Sequence, residues 1–119
     1  MDLILIGCDP EILNDPDRLK EIMDRACTIA GAEVKGCIFH KFDPVGVTLV
    51  NVLAESDLTV HTFPKKEEGQ AAVISLFTCG EKADPEAPIA FLREKLKATR
   101  IFRSPLTIFN PDLPDWQEI

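Results

Sequence analysis

Long apolar runs, clustered basic residues and paired cysteines are all missing from this chain of 119 residues. The opening apolar stretch, Leu3 to Ile6, is four residues long. Nothing approaches the ~20 apolar residues that cross a bilayer as a helix, nor the ~7–15 that build a signal peptide. Neither a membrane span nor a secretory signal is expected. Basic residues never stand more than two together, as in Lys65-Lys66, and 20 acidic against 13 basic residues leave a formal charge of -7. Such a field repels phosphate backbones and argues against nucleic acid as a partner. Cys8, Cys27, Cys37 and Cys79 form no C-x-x-C pair and lack the Cys/His spacing of a zinc site, so neither a metal centre nor a disulfide framework is expected. A reducing, cytoplasmic compartment fits that cysteine usage. Repeats, low-complexity tracts and linker-like shifts are also absent. One domain spanning 1–119, with a loose C-terminal tail, is the expected organisation.

What is present is an apolar content of 45%, enough for a core, since a domain of this size buries roughly two-thirds of its unfolded surface. Leu3 to Ile6 reads as a strand, followed by a polar turn at Gly7-Cys8-Asp9-Pro10. Asp15-Pro16 reads as an N-cap with proline in the first helical position. Leu19, Ile22, Met23, Ala26 and Ala30 then recur at helical spacing up to a stop at Gly31. Val34 to Phe42 and Val47 to Leu53 read as a hairpin around Asp43-Pro44-Val45-Gly46. Leu58 to Phe63 and Gln70 to Thr78 are two more strands. Asp84-Pro85 opens a second helix with Ile89, Leu92 and Leu96 inward, and a strand around Ile101 to Ile108 follows. The order β-α-β-β-β-β-α-β predicts an α+β two-layer sandwich, an antiparallel sheet with two helices on one face.

Four stretches carry a more specific pattern. Leu53-Ala54-Glu55-Ser56-Asp57-Leu58-Thr59-Val60-His61-Thr62-Phe63-Pro64 closely resembles the processing site of the small prokaryotic S-adenosylmethionine decarboxylases. Gly7-Cys8-Asp9-Pro10 with Leu13-Asn14-Asp15-Pro16, Phe39-His40-Lys41-Phe42 with Pro44 and Gly46-Val47, and Phe77-Thr78-Cys79-Gly80 with Asp84-Pro85 resemble three further parts of that family. The likeness runs in order over roughly residues 5 to 100. Taken singly, Ser56 would be a solvated loop residue, His61 a packed histidine and Cys79 a small buried hydrophobe. Only the ordered combination lifts them above that.

The resemblance implies a pyruvoyl-dependent decarboxylase that cleaves itself between Glu55 and Ser56, giving a β chain 1–55 and an α chain 56–119. The Ser56 hydroxyl attacks the Glu55 carbonyl, a step that needs a base, a stabilised oxyanion and local backbone strain. Elimination then leaves residue 56 as an N-terminal pyruvoyl group, whose ketone forms a Schiff base with the substrate amine and acts as electron sink. By position, His61 is similar to the processing histidine, Thr48 stands where a serine assists, and Cys79 resembles the proton donor of decarboxylation.

Departures from the family pattern fall around the substrate. Asp57 replaces a common histidine, Phe63 a typical tryptophan, and Lys65 a glutamate that contacts the ribose. The loop Lys65 to Gln70 is about two residues longer than usual, so that Glu67 could take the glutamate's role. Phe42 and Phe63 are expected to face the adenine and sulfonium of S-adenosylmethionine on the way to spermidine and other polyamines. The alternatives are decarboxylation of a basic amino acid, ornithine or arginine, with Asp57 and Glu67 or Glu68 attracting the distal cation, and an uncleaved, non-enzymatic regulatory relative.

Thr48 and Ser56 are eight residues apart on what reads as one strand, roughly 26 Å at strand rise, and His61 is roughly 16 Å beyond Ser56. Neither reaches the Ser56 of its own chain. A homodimer is therefore expected in which one protomer supplies Ser56 and Cys79 and its partner supplies Thr48 and His61.

Overall fold

The computed structural model describes residues 1–77 and 86–104. Strand β1 spans Asp2–Ile6, helix α1 Pro10–Leu13, helix α2 Pro16–Ile29, β2 Val34–Lys41, β3 Val47–Leu53, β4 Ser56–Phe63, β5 Ala71–Phe77, helix α3 Glu86–Leu96 and β6 Arg100–Arg103, with a 3-10 turn at Lys66–Glu68 between β4 and β5. The strands form one antiparallel sheet in the order β2-β3-β4-β5-β1-β6. A hairpin partner is the cheapest neighbour for a strand to find, which explains why β2 to β5 lie in chain order. β1 then fills the far side of β5.

Alternation decides which face is covered. Leu49 and Leu53 of β3, Leu58 and Val60 of β4, Ile74 of β5 and Leu3 and Leu5 of β1 are buried, while their immediate neighbours along each strand look outward. The helices lie on the buried side: Ile12 and Leu13 of α1, Leu19, Met23 and Cys27 of α2, and Leu92 and Leu96 of α3 belong to the same core cluster. The expected α+β sandwich is what forms.

Helix starts follow the Asp-Pro rule twice. The Asp15 carboxylate accepts from the backbone N–H of Asp17 at 3.1 Å and of Arg18 at 3.2 Å, with Pro16 at the first helical position. The expectation of a plain turn at Asp9-Pro10 needs correction: Asp9 accepts from Glu11 N–H at 2.9 Å and caps the one-turn helix α1. Four residues carry too little periodicity to be legible as a helix. At the other end of α2, Gly31 adopts a positive φ of 80° and Ala32 N–H returns to the Cys27 carbonyl at 2.8 Å, which satisfies a terminal carbonyl.

A second correction concerns the middle of the chain. Ser56 does not continue the strand that holds Thr48. Two residues, Ala54 and Glu55, turn the chain, and Ser56 begins β4 paired with Leu53. The Asp84-Pro85 cap and the end of the strand expected to reach Ile108 lie outside the described residues.

Candidate active site

The β3–β4 register determines the site. Thr48 pairs with His61, which puts both side chains on the sheet face that no described helix covers. The Thr48 hydroxyl and the His61 Nδ1 are 2.9 Å apart. Directly opposed strand residues have their Cβ atoms ~5 Å apart, so the contact follows from register with no distortion. A hydroxyl there fixes the orientation of the ring and leaves Nε2 for a second proton partner.

A groove of about 390 Å³ opens at this end of the hairpins, lined by Phe42, Gly46, Thr48, His61, Phe63, Lys65 and Glu68 among others. Phe42 and Phe63 stand 47% and 40% exposed, so both offer ring faces that a purely structural role would have buried. A second depression of about 460 Å³ lies beyond Pro64 and Lys65, bounded by Pro10, Glu11 and Asn14.

Polar residues that the sequence did not single out hold the groove in place. Thr62, buried beneath it, accepts from Val47 N–H at 2.8 Å and donates to the Leu13 carbonyl at 2.7 Å. Asn14 accepts from Gly46 N–H at 2.9 Å. Gly46 has a φ of 110°, and a Cβ there would sit 3.2 Å from the Thr62 carbonyl oxygen, so glycine is required on both counts. α1 and the β2–β3 turn are tied to the strand ends by these bonds.

Ser56 is at the opposite end of β4. It is half-buried beside the Ala54-Glu55 turn, five residues or about 16 Å from His61 along an extended strand. Thr48, opposite His61, is at a similar distance, shorter than the ~26 Å of a single strand, because the chain turns back between them. The separation survives the correction. Asp57 follows Ser56 on the strand, pairs with Val52 and Phe77, and accepts from the Thr59 hydroxyl at 3.1 Å. It is thus far from Phe42 and Phe63 within one chain. Glu67 sits on the 3-10 turn but does not line the groove; its neighbour Glu68 does. The extra loop residues wind into that turn, closed by Gly69 at a φ of 86°, and the winding selects which glutamate faces in. Cys79 lies outside the described residues.

Of the described cysteines, Cys8 is buried, and burial pushes its thiol up from 9.0 to about 11. Burial likewise raises Cys27 and Cys37. These thiols are protonated packing groups at neutral pH. Among the described residues no group of three or more His, Cys, Asp or Glu side chains could hold a metal ion, and no helix is long and apolar enough to cross a membrane.

Fold and site define a class, a single antiparallel α+β layer pair with a hydroxyl–imidazole couple on its open face and a serine-bearing turn at the far end of the same strand. Comparison supplies the family. The model of the S-adenosylmethionine decarboxylase family matches residues 3–105, and the chain belongs to that family. It is 48% identical over 92 residues to the S-adenosylmethionine decarboxylase proenzyme of Pyrococcus furiosus, covering 77% of this chain and 64% of that protein. Identity is 49% over 94 residues to the proenzyme of Pelotomaculum thermopropionicum, covering 79% and 72%. The crystal structure of the adenosylmethionine decarboxylase from Aquifex aeolicus VF5 superposes with a TM-score of 0.73 at 24% identity, over 85% of this chain and 81% of that one. The last likeness concerns the fold. The chain thus spans a little under two-thirds of the length of the Pyrococcus relative.

Proposed function

We propose that this chain is the precursor of a pyruvoyl-dependent decarboxylase, that it cleaves itself between Glu55 and Ser56 into 1–55 and 56–119, and that its substrate is S-adenosylmethionine, the decarboxylated product serving as aminopropyl donor for polyamines. The observation that carries this reading is the 2.9 Å contact of Thr48 with His61 Nδ1 in a groove walled by Phe42 and Phe63.

Self-cleavage needs only chain atoms and one water. Ser56 Oγ bonds to the Glu55 carbonyl carbon, the carbon–nitrogen bond breaks, and the hydroxyl proton ends on the released amine. His61, held by Thr48, takes and returns that proton, a role worth ~10²–10⁴ in rate. Loss of the residue-56 Cα proton then expels Glu55 as a carboxylate, and one water replaces the amine as ammonia. Ser56 fits this role, since it sits half-buried directly after a two-residue turn. The resulting pyruvoyl group supplies an electron sink for decarboxylation. Phe42 and Phe63 bind the flat base and the sulfonium, and Cys79 returns a proton to the product.

The distances favour a homodimer, with the site shared between protomers. Supporting it, Ile4, Ile38, Val52, Phe63 and Phe102 all lie on the open sheet face that carries Thr48 and His61, each at least 40% exposed. An apolar face of this kind calls for a cover, and a second copy of the chain supplies one.

A second reading draws on Glu68. A carboxylate lining the groove suits the distal cation of ornithine or arginine. Release of CO2 from each of the three substrates separates the readings: release from S-adenosylmethionine supports the first, and release from ornithine or arginine alone overturns it. Purified protein of a single full-length mass, without fragments 1–55 and 56–119, overturns both and leaves a non-enzymatic relative.

A further inference from the structure

We infer that Glu55 is a positioning residue for self-cleavage, through the left-handed backbone conformation that it holds in the scissile turn; the inference rests on the self-cleavage reading above. Glu55 has a φ of 64°, one of three non-glycine residues at positive φ among those described, with Gln70 and Lys97. The other two follow a helical turn or a helix end, a usual place for such a conformation. Glu55 is instead the second residue of the shortest connection two strands can have, with Leu53 paired to Ser56 and Ala54 N–H bonded to the Glu33 carbonyl at 3.0 Å. Asparagine or glycine is the ordinary occupant of such a position.

In an L-residue this conformation presses Cβ against the residue's own carbonyl. The crowded carbonyl is the one that Ser56 attacks. The acyl shift relieves it for a geometric reason. Before the shift, the Glu55 carbonyl carbon reaches the Cα of residue 56 through one atom, nitrogen. After it, the link runs through Oγ and Cβ, one atom longer, and an ester rotates more freely than an amide. Within a two-residue turn that extra atom lets Glu55 leave the left-handed basin. Strain present in the amide and absent in the ester raises the starting state and accelerates the step.

The test is a series at one position in the full-length chain, made by cell-free synthesis so that cleavage is timed from the intact precursor by mass spectrometry. Glu55→Ala removes the carboxylate but keeps the crowding, Glu55→Asn tolerates the conformation better, and Glu55→Gly adopts it freely. Cleavage is expected to slow in the order Ala, Asn, Gly, with Gly about fivefold or more behind Ala. In a Ser56→Ala background, which holds every variant uncleaved, melting temperature rises in the same order. A more stable turn that cleaves more slowly is the signature of stored strain, and general structural damage would lower both. Equal cleavage rates for Gly and Ala, or stability and rate moving together, overturn the inference while the wild type still cleaves. A wild-type chain that stays at one mass removes the self-cleavage reading, and this inference with it.

Discussion

Mixing two inactive variants tests the shared site most directly. His61→Ala removes the proton carrier, and His61 is exposed on the open face, so the fold is unaffected. Ser56→Ala removes the nucleophile. Alone, the first is expected to cleave ~10²–10⁴-fold more slowly than wild type, and the second not at all. Along one extended β4, Ser56 and His61 are five residues and about 16 Å apart, against the ~3 Å that proton transfer needs. In the proposed dimer, a histidine is therefore expected to serve the serine of the other protomer. In a coexpressed equal mixture, about half of the His61→Ala chains pair with a Ser56→Ala chain by random assortment of a twofold dimer. Each such pair contains one complete site, made from the Ser56 of the first chain and the His61 of the second. Cleavage is expected to rise to about half of the His61→Ala chains and to stop there. Intact-mass analysis distinguishes the two chains and their fragments. His61→Ala chains that stay uncleaved in the mixture would refute the shared site, as would a dilute monomer that cleaves at the full rate.

Two predictions concern stability. Asn51 is fully buried; its amide donates to Asp24 at 3.0 Å and to the Cys27 sulfur at 3.8 Å, but its Oδ1 accepts no hydrogen bond among the described residues. Asn51→Leu, close in volume, gives up the bond to Asp24 and the weaker one to the Cys27 sulfur while removing one unsatisfied acceptor, and is expected to change unfolding free energy by about 1 kcal/mol; a loss above ~3 kcal/mol in urea would contradict this. The Cys8 thiol, raised by burial from 9.0 to about 11, is neutral in the folded state over a range where the unfolded chain already ionises. Its contribution is complete below about pH 9 and is lost as pH rises through about 11, a fall of order 2 kcal/mol. Cys8→Ala should flatten that alkaline slope in urea titrations, and equal slopes for variant and parent would rule out Cys8 as its source.

The sheet, its hairpins and α2 were legible in the residues because each rests on local chemistry. Alternation in Val47 to Leu53, the Asp15-Pro16 cap and the stop at Gly31 act over a few residues and survive packing. The short helix α1 and the 3-10 turn at Lys66–Glu68 were not legible, since three or four residues hold no periodicity and their form depends on what they dock against. The family pattern likewise marked Ser56, His61, Thr48 and Phe42 by order and spacing alone.

Register and turn are another matter. Reading Thr48 and Ser56 on one strand overlooked the turn because neither Ala54 nor Glu55 is a turn former, and Glu55 takes a conformation that composition argues against. Which glutamate of the loop faces the groove, and the bonds by which Thr62, Asn14 and Gly46 hold its wall, depend on contacts between residues far apart in the chain. By itself the sequence determined which family the chain resembles and which strands exist, through short-range propensity and motif spacing. Only the tertiary structure decided that the histidine meets the threonine while the serine stands a strand's length away, because cross-strand pairing joins residues by register and not by their distance along the chain.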